Sequence, residues 1–172
     1  MTQELLDLRN SILEGRYEDA LAIVDELEGM SVQAILRNIE SFLVRLLVHL
    51  IKNQIEQRLT NSWVASISDS MVKIQKLNLK ENKTSYYIKP DEWQPFLEDA
   101  LAAAIRPASV EVRSGRLTPS QLSQMLERNH IVQTAEQLLA LTYLHKPSEL
   151  PDIIDTYLAE LPGGKDWQEG SL

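Results

Sequence analysis

The chain of 172 residues is long enough to bury the core of one domain, and its few glycines and prolines beside abundant leucine, glutamate, alanine and glutamine favour helices over strands. The absence of cysteine excludes disulfides, thiolate zinc sites and cysteine nucleophiles. The apolar runs are too short to span a bilayer and the first residues lack the features of a signal peptide, so we expect a cytoplasmic protein with no membrane segment.

The formal charge of −8 is unevenly distributed along the chain. Residues 1–30 carry eight acidic and two basic groups, net −6, whereas residues 31–90 carry four acidic and nine basic groups, net +5. A basic middle between acidic flanks is typical either of internal charge complementarity or of a nucleic-acid footprint. The first interpretation is favoured, because a chain that is acidic overall repels phosphate at long range.

Apolar residues at helical spacing begin at the amino terminus and predict a helical hairpin. Its first helix ends at Gly15, a left-handed cap, and its second ends near Gly29. The segment EGRYEDALAIVDEL is similar to the second helix of a tetratricopeptide repeat. No second copy follows at the period of about 34 residues that such repeats require, so we predict a lone hairpin.

A third helix, from an N-cap at Ser31 to about Leu59, is apolar on two sides. This pattern predicts a central helix that is buried against several neighbours, with Phe42, Leu46 and Leu50 in the core. A narrow polar stripe separates the two apolar faces. Its members are Asn38, Ser41, Arg45, Lys52 and Glu56, and His49 lies at its edge.

Thr60 or Asn61 can cap the fourth helix, and residues 77–90 after it lack a clear period, which indicates a loop. The fourth helix is expected to turn its apolar side chains inward and its lysines outward. The inward residues are Trp63 and Ile67, the outward residues are Lys73 and Lys76, and the loop holds Tyr86 and Tyr87.

Prolines and capping residues predict the remaining helices. A fifth helix follows Pro90 and is ended or kinked by Pro107. The sixth begins at Thr118–Pro119 and reaches about Arg128, and a capping box at Thr134 opens the seventh. Ser148 and Pro151 open the eighth, which stops at residues 162–164, after which the tail frays unless Trp167 docks. The pattern as a whole predicts an all-α, single-domain bundle of about seven or eight helices with a long central helix.

Four segments resemble the bacterial domain-of-unknown-function family 29: LEGRYEDALAIVDELEGM, RLLVHLIK, NSWVASISDSMVKIQKL and FLEDALAAAI. The resemblance covers residues 4–145 and implies an all-helical fold without implying a reaction. Asn53 stands where this family usually has an aromatic residue. The resemblance suggests a helical core over residues 1–145, with residues 146–172 as a helical extension and tail of the same domain.

His49 could act as a general base, bind an anion or partner, or serve structure alone. Arg45 and Lys52 flank it and are unsuited to holding a cation, and Glu56 is better placed to pair with Lys52. The structural interpretation is favoured, in which His49 forms a hydrogen bond across the bundle while Trp63 packs nearby.

Two metal-site hypotheses are weak. Glu127 and His130 have the Glu-x-x-His spacing of di-iron bundles, but the chain has no second such pair. A site built from His49, His130 and His145 would need the fold to bring all three together. We therefore predict no catalytic residue, no metal ligand and no cofactor.

The sequence predicts a non-enzymatic accessory factor that binds another protein through a basic edge on the central helix. The residues assigned to this contact are Arg45, His49, Lys52, Lys73, Lys76, Tyr86 and Tyr87. Nucleic-acid or anion binding through the same surface is the first alternative, and a metal-dependent enzyme is the second. The partner and the oligomeric state are not encoded in any motif.

Overall fold

The computed structural model describes residues 2–170, and the predicted all-α architecture is confirmed: these residues form eight helices and no strand. The helices are α1 (Gln3–Leu13), α2 (Tyr17–Glu56), α3 (Asn61–Asn78), α4 (Trp93–Ser109), α5 (Pro119–Met125), α6 (Arg128–Leu144), α7 (Leu150–Leu158) and α8 (Gly164–Gln168). A short 3-10 turn, Val112–Gly115, lies between α4 and α5. None of these helices is both long and apolar enough to cross a bilayer.

The chain divides into two compact units, and the division falls inside α2. The first unit, which we call the arm, ends at Arg37 and holds α1 and the first part of α2. The second, which we call the body, begins at Asn38 and holds the rest. The predicted division into a core of residues 1–145 and an extension of residues 146–172 is a different boundary, and it stays a prediction.

Helix α2 is a single helix of 40 residues, so the predicted break between Gly29 and Ser31 is wrong. Gly29 keeps a negative φ, and Ser31 lies exposed in the middle of the helix. An interior glycine costs a helix only about 1 kcal/mol relative to alanine, and good helix formers surround this one. The helix ends instead where Gln57 adopts a left-handed φ of 54°.

The body is built on α3, which packs against α6 and α7, while α4 packs against α5 and α6. Thr60 caps α3 as expected, because its hydroxyl oxygen accepts a hydrogen bond from the Trp63 N–H at 3.2 Å. Leu46, Leu50, Trp63 and Ile67 are all buried in this core. Phe42 is only half-buried and therefore reaches the surface.

The boundaries of α5 and α6 differ from those predicted. Helix α5 ends at Met125 and α6 already begins at Arg128, so Thr134 does not cap a helix. Its hydroxyl instead donates to the His130 carbonyl oxygen one turn back, at 2.9 Å. Gln54 on α2 separates the two helices, because its side chain binds both the N–H and the carbonyl oxygen of Glu127. Such a long-range cap leaves no local signal in the sequence.

Two expectations for α4 and the carboxyl terminus are met. Pro107 lies two residues before the end of α4, at Ser109. Trp167 docks through α8, since its indole N–H donates to the Asn61 side-chain oxygen at 3.3 Å. Residues 171 and 172 of the predicted frayed tail lie outside the described residues.

Candidate interaction surface

Three charged side chains of α2 and α3 form a connected cluster on the surface of the body. The Arg45 guanidinium donates to Ser66 Oγ at 2.7 Å and to Asp69 Oδ2 at 3.0 Å. The Lys73 ammonium contacts the same carboxylate at 3.1 Å. The hydrogen bond from Lys73, with a further contribution from Arg45, lowers the pKa of Asp69. Two cations therefore share one anion, which leaves a net positive charge.

Beside this cluster lies a shallow groove of about 400 Å³, which we call the Phe42 groove. Its lining residues are Asn38, Phe42, Lys73, Lys76 and Leu77. The Lys73 ammonium lies 5.7 Å from the centre of the Phe42 ring, within the range of a cation–π contact. Lys76 is exposed and forms no ion pair with any residue from Thr2 to Gly170. The groove thus combines an apolar floor with two ammonium groups at its rim.

Lys52 does not belong to this surface, because only 8% of the residue is exposed. Its ammonium lies 3.3 Å from the Glu111 carboxylate and 4.6 Å from the centre of the Trp63 ring. The pairing predicted with Glu56 is wrong. Glu56 instead binds the Arg58 guanidinium at 3.0 Å and accepts the backbone N–H of Arg113 at 3.2 Å. Lys52 is therefore part of the packing of the body.

His49 lies next to Trp63, with 6.4 Å between the ring centres. The predicted hydrogen bond across the bundle is absent, since the buried Nδ1 atom of His49 has no partner among the described residues. Burial lowers the pKa of His49 to about 4, and the positive charges of Lys52 and Arg45 add to this effect. Neutral imidazole is therefore the form present in the folded protein at neutral pH.

Tyr86 and Tyr87 lie in the segment between α3 and α4 and are both half-buried. Tyr86 packs its ring edge-on against Tyr143, with centres 4.7 Å apart. The Lys80 ammonium lies 5.5 Å from the centre of the Tyr87 ring. Neither tyrosine lines the Phe42 groove, so the loop does not extend that surface.

Only some of the residues that line the groove were predicted from the sequence to take part in a contact. Lys73 and Lys76 were expected to face outward, whereas Asn38 and Leu77 were not assigned to any contact. Leu77 follows Lys73 at i, i+4, so the two share one side of α3. Recognising Leu77 as a groove residue requires knowledge of how α2 packs on α3, which no local pattern supplies.

The candidate metal ligands do not form a cluster. Glu127 and His130 are both exposed at the start of α6, and His145 lies at its other end. Between Thr2 and Gly170, no group of three or more histidine, aspartate or glutamate side chains is arranged to hold a metal ion.

A family model described as "Domain of unknown function DUF29" matches residues 8–141. The chain belongs to this family. No curated protein and no solved structure matches it. The match includes every residue of the Phe42 groove and of the cluster around Asp69, so the candidate surface lies within the DUF29 part of the chain.

In this DUF29 protein, His49→Gln is expected to flatten the pH dependence of stability between about pH 6.5 and pH 4. The unfolded chain takes up a proton on His49 near pH 6.5, whereas the folded protein does so only near pH 4. The contribution of neutral His49 is therefore complete above pH 6.5 and is lost as the pH falls through this window. The loss is about 2 kcal/mol, a value reduced from the full shift because the side chain is partly solvated.

Urea unfolding of both proteins at pH 7.5 and pH 4.5 measures this effect. Carboxylates that titrate in the same range are present in both proteins, so their contribution to the change in free energy of unfolding cancels when the two proteins are compared. If His49→Gln lost as much stability as the wild type between the two pH values, burial of neutral His49 would not be the cause.

Proposed function

We propose that this protein is a cytoplasmic, non-enzymatic accessory factor that binds an acidic segment of another protein in the Phe42 groove. The observation that carries the proposal is the combination of an apolar floor, Phe42 and Leu77, with the ammonium groups of Lys73 and Lys76. Interfaces concentrate binding free energy in a buried apolar anchor, while charges at the rim select and steer the partner.

The shape and charge of the groove specify the chemistry of the partner. A volume of about 400 Å³ accommodates one or two apolar side chains. Lys76 has no counter-ion among residues 2–170, so it gains a partner without giving one of these up. An amphipathic helix with apolar anchors flanked by glutamate or aspartate satisfies both requirements.

A protein partner is favoured over nucleic acid because the basic residues are partly neutralised. Asp69 already pairs with Arg45 and Lys73, and Glu111 pairs with Lys52. Tyr86, which could have stacked on a base, packs against Tyr143 instead. A nucleic-acid site needs a larger uncompensated positive charge along the backbone path.

A labelled helical peptide with a Leu-Trp anchor flanked by glutamates is expected to bind the full chain in fluorescence-polarisation titrations. Lys76→Glu should weaken this binding about fivefold or more, since it reverses one rim charge. Phe42→Ala should weaken it at least as much by removing the floor. Lys165→Glu is the matched control and should leave binding unchanged, because Lys165 is an exposed lysine of α8, which docks at Asn61, about 22 Å from Lys76 along α3.

Two outcomes would overturn the proposal. One is equal affinity for the glutamate peptide and for a peptide of the same sequence with glutamine in place of glutamate. The other is tight, steeply salt-dependent retention of a single-stranded oligonucleotide that Lys76→Glu abolishes, which would assign the groove to nucleic acid.

A further inference from the structure

The arm exposes an unusual number of large apolar side chains. Leu13, Tyr17 and Leu21 are 73%, 66% and 63% exposed. Further residues in the arm with exposed fractions between 37% and 52% are Leu5, Leu6, Ile12 and Val32. Scattered exposed leucines are ordinary, but a contiguous group of this size marks an interaction surface.

These side chains share one side of the helical hairpin, which we call the apolar face. Projected at about 100° per residue, Leu5 and Ile12 lie on the flank of α1 that adjoins the flank of α2 holding Tyr17 and Leu21. Ser11 and Ala20 are buried between the two helices. The other side of the hairpin is a polar groove, lined by Asp7, Asn10, Ser11, Glu14, Arg16, Asp19, Ala22 and Ile23. The hairpin therefore has one polar side and one side on which most of the large side chains are apolar.

The size of the apolar face matches half of a stable interface. With roughly 200 Å² for each fully exposed large side chain, the seven exposed fractions given above amount to roughly 700 Å². A standard protein interface buries about 800 Å² on each partner. Burial of this face against a partner of equal size would form such an interface.

The charge distribution of the arm allows a second copy to approach this face. Three of its acidic side chains, Asp7, Glu14 and Asp19, line the polar groove on the other side, where Arg16 pairs with Glu14 at 2.8 Å and with Asp19 at 3.0 Å. The same projection places Arg9 of α1 and both Asp25 and Glu28 of α2 on the side of the apolar face, so this face carries charged groups of both signs, which can pair between two copies. Two copies that meet through it would therefore keep the carboxylates of the polar groove in water.

We propose that this protein forms a homodimer in which the apolar faces of two arms pack against each other. A symmetric pairing brings the same patch of both copies together, and two helical hairpins that meet in this way form a four-helix bundle. The dimer uses side chains of the arm alone, so it is independent of the Phe42 groove and of the function proposed for it.

Sedimentation equilibrium of the full chain between 1 and 200 μM tests the proposal. We expect the wild type to be a dimer and Leu13→Glu to be largely monomeric, with the dissociation constant raised about a hundredfold or more, because a carboxylate would be buried in an apolar interface. Leu21→Glu should have the same effect. Leu144→Glu is the matched control, since Leu144 in the body is also 73% exposed, and it should remain dimeric.

The variants are informative because the changed side chains are already exposed in one copy, so each chain should retain its helical circular dichroism. A monomeric wild type at 200 μM would overturn the proposal. So would dimers that survive both Leu13→Glu and Leu21→Glu. A dimer that is lost in Lys76→Glu would also overturn it, because the arm of one copy would then dock in the Phe42 groove of the other.

Discussion

Gly163→Ala is expected to lower the free energy of unfolding of the body by about 3 kcal/mol or more. Gly163 has a left-handed φ of 73°, and a Cβ atom there would lie 2.5 Å from the Cα atom of Arg58. The obstructing atoms are backbone, so a change of side-chain rotamer cannot relieve the clash. The turn before α8 would have to move away from the end of α2.

Urea unfolding of wild type and variant measures the loss. The matched control is Gly170→Ala, because Gly170 has a similar φ of 75° but, in the part of the chain that the structure describes, no atom within 4 Å of the added Cβ. This control carries only the cost of the left-handed conformation, about 1 kcal/mol. Equal losses in the two variants would show that the close approach to Arg58 is unimportant.

The close approach of the turn before α8 to the end of α2 also explains the presence of Asn53 in α2. Asn53 stands where the resemblance to the family leads one to expect an aromatic side chain. Its amide nitrogen donates to the carbonyl oxygens of Arg58 at 3.1 Å and Pro162 at 2.7 Å. Asn53 therefore ties the end of α2 to the turn before α8, which lies beyond the residues matched by the family model. An aromatic residue could not supply these two hydrogen bonds.

The parts of the fold that local chemistry determines could be predicted from short sequence patterns. Gly15 ends α1 with a left-handed φ of 72°, and Thr60 and Thr118 cap α3 and α5 through their hydroxyl groups. Each signal depends only on the backbone groups within one turn of the residue. Such signals can therefore be recognised in a single sequence.

The wrong boundaries have causes that act over long distances in the chain. Gly29 was expected to end a helix, but nothing stabilises an alternative to the helical conformation there. Thr134 has the right spacing for a cap, yet Gln54, 73 residues before Glu127 in sequence, sets the start of α6. The choice between Thr134 and Glu127 as the residue that precedes the helix depends on Gln54, a tertiary contact that a local sequence pattern does not reveal.

The composition of the candidate surface also depends on tertiary packing that the sequence does not reveal. Projection of α2 placed Arg45 and Lys52 in one polar stripe, and only packing distinguishes them. Arg45 reaches Asp69 on α3 at the surface, while Lys52 is covered by Glu111 and Trp63. The helical spacing of apolar residues correctly indicated that the lysines of α3 face outward, but the apolar floor beside them depends on the contact between α2 and α3.

A buried hydrogen-bond network holds the segment between α3 and α4 against the body. The Asn78 side chain donates to the Ile88 carbonyl oxygen at 2.8 Å and accepts from the Ile88 N–H at 2.7 Å. The Tyr143 hydroxyl donates to the same carbonyl oxygen at 2.6 Å and accepts from the Trp93 indole N–H at 2.7 Å. Burial raises the pKa of Tyr143 to about 12, so its proton remains in place as a donor at all physiological pH values.

Asn78→Leu is expected to cost about 3 kcal/mol, because it leaves the buried N–H of Ile88 without a partner and weakens the bonding of its carbonyl oxygen. Urea unfolding gives the total loss, and amide hydrogen exchange at Ile88 shows whether the segment has opened locally. Asn82→Leu is the control, since the Asn82 amide binds only exposed groups of the same turn, the backbone N–H groups of Thr84 and Ser85 and the Ser85 hydroxyl. Water replaces those bonds, so the control should lose less than about 1 kcal/mol. Equal losses, or unchanged exchange at Ile88 in Asn78→Leu, would mean that the network does not hold this segment in place.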